Sequence, residues 1–235
     1  MRVRFQLGLL APLAALTVAS SSAFAQRDAE DWLEQCRKNN RHSDRVTYCE
    51  VRELGMRATD RLTVDAGQNG GVAVRAWDRD SIDVSARLQA QGDDEDEARD
   101  VARQVRIEIS AGTIRSDGPS MRHGTSWAVS YEIRVPRRTD LKIETRNGPL
   151  KVGLEGRRWE GAGLDAETTN GPVVLSVPDG YSARLETGTV NGPMSIDFPI
   201  TVQGRLSNRI AVDLGSGGAP VRVVTTNGPV VVRRQ

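Results

Sequence analysis

The sequence predicts an all-β protein, a β-solenoid or β-helix-like stack of repeats about twenty residues long, behind a short N-terminal helix. Three observations carry that prediction. From Arg61 onward, apolar residues alternate with polar ones, the period of half-buried strands. After Leu141 one Thr-x-Asn-Gly-Pro module recurs four times. Phe, Trp and Tyr together make up only 4% of the chain, so its core has to be assembled from many small contacts, as layered β architectures do.

The first residues stand apart. Arg2 and Arg4 give a positive start, Leu7 to Ala19 form a short apolar run, and Ala23-Phe24-Ala25 puts small residues at the −3 and −1 positions before Gln26. That is the layout of a cleaved secretory signal peptide; the run is short for a bilayer-spanning helix. The expected division is residues 1–25 as signal peptide, 26–59 as a disulfide-closed helical leader, and 60–235 as the repetitive β domain. Nothing later in the chain is long and apolar enough to form a transmembrane segment. The expected location is periplasmic or secreted, including the cell surface.

Without residues 1–25 the chain keeps 30 basic and 31 acidic side chains, because that stretch holds two of the 32 arginines and lysines and none of the 31 acids. A balance this even offers no electrostatic footprint for nucleic acid. In the leader, Asp28, Glu30 and Asp31 precede Arg37 and Lys38, an order that suits the helix dipole. Cys36 and Cys49 are the only cysteines, and in an oxidising compartment they read as a disulfide. The alternatives are two free thiols, or half a metal site with His42 and no convincing fourth ligand.

Strands are expected around Leu62-Val64, Val72-Val74, Ile82-Val84, Val105-Ile109 and Val129-Val135. Gly92 to Gln104 interrupts them with acids first and arginines last, and with Ala98, Val101, Ala102 and Val105 at helical spacing. It reads as a crossing helix with a solvated acidic start. A Ca²⁺ loop is the lesser reading, since the glycine and terminal bidentate Glu of an EF-hand are missing.

The repeat gives the most information. Its asparagines fall at Asn147, Asn170, Asn191 and Asn227, with spacings of 23, 21 and 36. A degenerate copy, Val202 to Val212 with Asn208, falls in the long gap and makes an expected fifth coil. Alternation sends Leu141, Ile143 and Thr145 to one side, and Leu150 and Val152 continue that face beyond the turn. Asn147-Gly148-Pro149, Asn170-Gly171-Pro172, Asn191-Gly192-Pro193 and Asn227-Gly228-Pro229 are the expected structural turns. Asn and Gly tolerate positive φ. Proline lacks the N–H that would close a two-residue hairpin, so each unit is read as a corner between two sides of a coil. An antiparallel β-sandwich stays open as the alternative fold.

The run from Asn69-Gly70-Gly71 through the Tyr131–Pro136 strand to the Thr-x-Asn-Gly repeats resembles the DUF4097 putative adhesin family of bacterial envelope proteins. The resemblance covers roughly Arg61 to Arg233, with proline in place of the commoner Ser or Asp after Asn-Gly. It implies a β-solenoid-like fold, an extracytoplasmic binding role and no catalytic residues.

No catalytic constellation, cofactor motif or metal pattern is found. His42 and His123 lack nucleophile partners, and no Walker loop or Rossmann fingerprint occurs. Glu144 and Glu167 share one module position and should stack on adjacent coils, with Lys142 and Asp165 two residues earlier. A glycan-cleaving pair or a Ca²⁺ site is weighed there against a solvated charged face, which is preferred. Arg157, Arg158, Trp159, Asp179 and Tyr181 lie between modules as candidate surface contacts, a rung-spanning loop being the plainer reading. The expected function is non-catalytic binding or scaffolding of an envelope or extracellular ligand, protein or glycan. The alternatives are a β-helix-type envelope glycan-processing enzyme and a structural or regulatory periplasmic stress protein.

Overall fold

The computed structural model describes residues 19–39, 45–121, 124–197 and 208–235. Residues 1–18, His42 and His123 lie outside them. Helix α1 (Ala19–Asn39) begins before the expected cleavage point and is followed by strands β1 (Val46–Arg57), β2 (Arg61–Asp65), β3 (Val72–Trp77) and β4 (Ser81–Gly92). Next come helix α2 (Glu95–Gln104), β5 (Arg106–Ser110), β6 (Thr113–Asp117) and β7 (Ser126–Pro136). The repeats supply β8 (Asp140–Asn147), β9 (Leu150–Gly153), β10 (Leu164–Asn170), β11 (Val173–Val177), β12 (Ala183–Asn191) and β13 (Met194–Ile196). The chain closes with β14 (Arg209–Leu214), β15 (Pro220–Asn227) and β16 (Val230–Arg234).

These strands build two mixed eight-stranded sheets. The first runs β1-β4-β7-β3-β9-β11-β16-β13, the second β14-β12-β15-β10-β8-β2-β6-β5. Their inner faces share one core, with Leu141, Ile143, Leu164 and Val221 from the second sheet and Leu150, Val152, Val173 and Val230 from the first. The predicted all-β class is correct. The expected uniform solenoid is not, for two reasons. The pairings β1–β4, β4–β7, β5–β6 and β12–β14 are antiparallel, so both sheets are mixed. The rungs are also out of chain order, because β15/β16 lies between β10/β11 and β12/β13. Two face-packed sheets are the layer architecture of a sandwich, here built mainly from parallel pairs.

Each Asn-Gly-Pro unit is a corner, carrying the chain from the second sheet to the first, as the missing proline N–H requires. Parallel, in-register pairing stacks the corners. The amide of Gly148 donates to Asn170 O, that of Gly171 to Asn227 O and that of Gly228 to Asn191 O, at 2.9, 2.9 and 3.0 Å. The asparagine side chains form a ladder beside them: Asn191 Nδ2 donates to Asn227 Oδ1, Asn227 to Asn170, and Asn170 to Asn147, at 2.8, 2.7 and 2.8 Å. Asn147 Nδ2 then reaches Asn69 Oδ1 at 3.2 Å. Buried Thr145, Thr168 and Thr225 turn their hydroxyls to the carbonyls of Gly70, Gly148 and Gly171.

Glycine is needed here chiefly for close approach; among the corner glycines only Gly228 has a positive φ, 150°. A Cβ on Gly171 would stand 2.1 Å from Gly148 O, and one on Gly148 2.3 Å from Gly70 O. Arg209 therefore cannot take a corner position. Instead of forming a fifth coil, β14 pairs antiparallel with β12, with Arg209 opposite Gly188. The fifth corner is Asn69-Gly70, joining β2 to β3, with Gly70 N–H donating to Asn147 O at 3.1 Å.

The chain reaches β15 by crossing over the start of β12. Ser216 N–H donates to Ser182 Oγ at 3.2 Å, and Gly215, Gly217 and Gly218 have φ of 55°, 74° and 141°. A glycine-rich crossing fits because a Cβ on Gly215 would meet Ser182 Oγ at 2.4 Å.

Helix α2 matches its prediction. Asp94 caps it by accepting from Glu97 N–H at 2.8 Å while Glu97 accepts from Asp93 N–H at 2.7 Å, so the acids act as a reciprocal cap. Ala98, Val101 and Ala102 face the core, and Arg52 of β1 binds the carbonyls of Ala102 and Val105 at the helix end.

Candidate functional site

The outer face of the first sheet is where the charge is arranged unevenly. On β4, Ile82, Val84, Ala86, Leu88 and Ala90 point inward, so Ser85, Arg87 and Gln89 point outward. Cys49 pairs with Gln89 and therefore also points outward. The Cys36–Cys49 disulfide, with its sequence separation of 13, ties α1 to that face. This bond excludes the free-thiol and metal-ligand readings of the pair. Trp32 of α1 lies under the Arg87 guanidinium, 5.8 Å from ring centre to Cζ. β1, within the segment expected as a leader, is the edge strand of this sheet.

Beside α1 a groove of about 1010 Å³ runs across the sheet. Register places Asp83, Arg134, Arg75, Gly153, Ser176 and Arg233 in one row over six neighbouring strands. The adjacent row reads Glu53, Ser85, Glu132, Ala73, Lys151, Val174 and Val231. Acids thus gather on the antiparallel strands near α1, and cations on the parallel strands beyond. Gly153, Ala73 and Ser176 leave space between the long side chains.

The two signs are not equally free. Glu132 accepts an ion pair from Arg87 at 2.6 Å, and Glu53 accepts from Ser85 Oγ at 2.7 Å. Burial raises the Glu132 carboxyl above its ordinary range, with Arg87 pulling the other way. Arg233 bonds only a hydroxyl, Ser176 Oγ, at 3.1 Å. Arg75, Arg134 and Lys151 form no ion pair within 4.0 Å among the described residues. The groove therefore holds cations without a close ion pair, Arg134, Arg75 and Lys151, with Glu155 also in its lining, and nearer α1 the paired or hydrogen-bonded carboxylates Glu132 and Glu53.

The outer face of the second sheet is different. Glu144 and Glu167 do stack in register, as do Lys142 and Asp165. Lys142 pairs with Glu144 at 2.7 Å, and Arg222 spans Asp165 and Glu167 at 2.6 and 3.0 Å. Arg222 comes from β15, on the far side of β10, and only the rung order brings it there. These carboxylates are exposed and compensated, a solvated face. Among the described residues no group of three or more His, Cys, Asp and Glu could hold a metal ion.

Of the five candidate surface contacts, Arg157, Arg158 and Asp179 are exposed. Trp159 and Tyr181 are each 3% exposed, which removes them as contacts. The loops carrying them fold inward at the edge opposite the asparagine ladder, where Trp159 Nε1 donates to Thr139 O at 3.1 Å. Burial also raises the Tyr181 hydroxyl above its usual range. The cluster of Arg75, Arg134 and Arg233 in one row with Lys151 in the next was missed in the sequence. Its only local sign is a basic residue at an outward position in four separate strands.

No family model matches the chain, and no curated protein is similar to it. Solved structures are. A putative cell adhesion protein from Clostridium sporogenes is 10% identical with a TM-score of 0.47, covering 79% of this chain and 100% of its own. A putative adhesin from Bacteroides fragilis is 8% identical with a TM-score of 0.23 over 79% and 97%. A putative lipid binding protein from Parabacteroides distasonis is 10% identical with a TM-score of 0.25 over 80% and 96%. At these TM-scores the likenesses carry no functional argument for this chain. No helix among the described residues is long and apolar enough to cross a membrane.

Proposed function

We propose that this protein is an exported, non-catalytic binding protein whose groove on the first sheet takes an anionic polysaccharide of the envelope or its surroundings. One observation carries the reading: Arg134, Arg75 and Arg233 share a register row, Lys151 stands beside it, and the row opens at Gly153. Neighbouring strands lie about 4.8 Å apart, so Arg134 and Arg75 stand one strand spacing apart and Arg233 three beyond Arg75, a set of cations spread along the length of an extended chain of negative groups. Ser176 and Gln235 add hydroxyl and amide hydrogen-bonding groups suited to sugars. Adhesion is the specific form of binding we favour. The Cys36–Cys49 bond and the signal-like N-terminus support a periplasmic, secreted or surface location. Within this reading, residues 1–25 are removed, and α1, tied down by the disulfide, flanks the groove.

Retention on immobilised polygalacturonate, with neutral dextran as control, tests the proposal. The wild-type chain should be retained at low salt and released as salt rises. The Arg75→Ala, Lys151→Ala, Arg233→Ala triple variant should bind at least about tenfold more weakly, and Arg115→Ala, on the other sheet, should bind normally. Equal retention of wild type and triple variant would discard the groove as the site.

A further inference from the structure

Glycine after asparagine leaves that asparagine unusually open to attack by the following backbone amide, since no Cβ crowds the approach. This chain has five such pairs at its stacked corners, and the stack does not treat them alike. The amides of Gly70, Gly148, Gly171 and Gly228 each donate to the asparagine carbonyl of the next rung, at 3.1, 2.9, 2.9 and 3.0 Å. A nitrogen held in this way is not positioned to bond its own asparagine side chain. Gly192 sits on the last rung, beyond which the first sheet has no further strand among the described residues. Its amide has no acceptor among the described residues. It is exposed, whereas Gly148, Gly171 and Gly228 are half-buried and Gly70 is buried.

We propose that Asn191 is a self-modification site, deamidated by its own backbone, while at the equivalent asparagines the following glycine amide is held by the next rung. The Gly192 nitrogen attacks Asn191 Cγ and gives up its proton to solvent. The N–Cγ bond forms, the Cγ–Nδ2 bond breaks, and Nδ2 leaves as ammonia after taking a proton from water. Water then opens the cyclic imide at either carbonyl, leaving aspartate or its β-linked isomer. Neither oxidant nor cofactor is involved. The product matters to the fold because Asn191 Nδ2 is the donor to Asn227 Oδ1 at 2.8 Å. A carboxylate oxygen in its place faces another oxygen, so the terminal rung loses its side-chain link to the stack.

The test is peptide mass mapping of the full chain held folded at mildly alkaline pH, beside a sample unfolded in guanidinium with its disulfide intact. In the folded sample Asn191 should convert at least about tenfold faster than Asn147, Asn170 and Asn227, because those three, like Asn69, need local opening of the stack before reaction. In the unfolded sample all four should convert at similar rates. Asn191→Gln, whose longer side chain closes the ring slowly, should suppress the main product without changing the circular dichroism spectrum. Similar rates for all four in the folded chain would overturn the proposal. So would an Asn191 that stays intact while the unfolded sample reacts.

Discussion

The parallel stack and the antiparallel end of this molecule solve the same problem by opposite means. In the stack, β8/β9, β10/β11, β15/β16 and β12/β13 repeat one corner, and each rung satisfies the next through Gly amides, Asn side chains and Thr hydroxyls. At the other end β1, β4 and β7 pair antiparallel, and stability comes from particulars: a disulfide, a capped helix, and Arg52 reaching into α2. The lesson is that repetition neutralises its own surface, as Lys142 and Arg222 do on the second sheet. On the first sheet the same stack leaves Lys151 of β9 and Arg233 of β16 without a close carboxylate among the described residues, and the groove runs from those strands to the antiparallel end.

The sharpest way to break the comparison is a single methyl group. Gly171→Ala puts a Cβ against the backbone of the neighbouring corner and should cost about 3 kcal/mol or more, read as a fall in the denaturant midpoint. Gly55→Ala, in β1 with nothing within 4 Å of the added carbon, should be nearly silent. Equal effects would mean that the corners are not close-packed. Next in size is the disulfide. Replacing Cys36 and Cys49 together by Ala should lose about 3 kcal/mol in the chain-entropy model. Hydrogen exchange should rise in α1 and β1 while the stack amides of Gly148 and Gly171 stay protected.

The smallest effect is titration of Glu132. Its folded pKa is raised by burial, so its protonated form is relatively favoured in the native state. Its contribution to stability is therefore full below the unfolded carboxylate range and is lost as pH rises through the raised folded value. Thermal melts of wild type across mildly acidic pH should show this decline, and Glu132→Gln should flatten it. An unchanged slope in the variant would assign the decline to another group.

Much of the stack was legible in the sequence because its rules are local. Alternation told which of Leu141, Lys142, Ile143 and Glu144 face inward, and Pro149 excluded a tight hairpin without any coordinates. The glycine argument reached the right residues for a different reason, since positive φ is a property of one residue and the 2.1 Å approach to a neighbouring carbonyl is not. Rung order was invisible, because the pattern of β10 would suit β12 as a neighbour as well as it suits β15, its actual one. Its one trace is the glycine-rich crossing at Gly215–Gly218. β1 escaped notice because both of its faces are covered in part, by α1 on one and α2 on the other, while β4 pairs along its edge, so its burial does not alternate cleanly. The groove depends on the sheet order and was beyond reach for the same reason. Trp159 and Tyr181 were misplaced because a linker rich in charge hides two rings that fold back onto the core.

The interior position of β15/β16 constrains how the molecule comes off the ribosome. The nascent chain exposes β12/β13 first, with the slot beside β10/β11 still vacant and a corner of matching shape ready to fill it. Docking there is a kinetic trap, since the true occupant, β15/β16, is made later than both of its neighbours. Deleting β15/β16 would thus remove a central plank rather than a loose end.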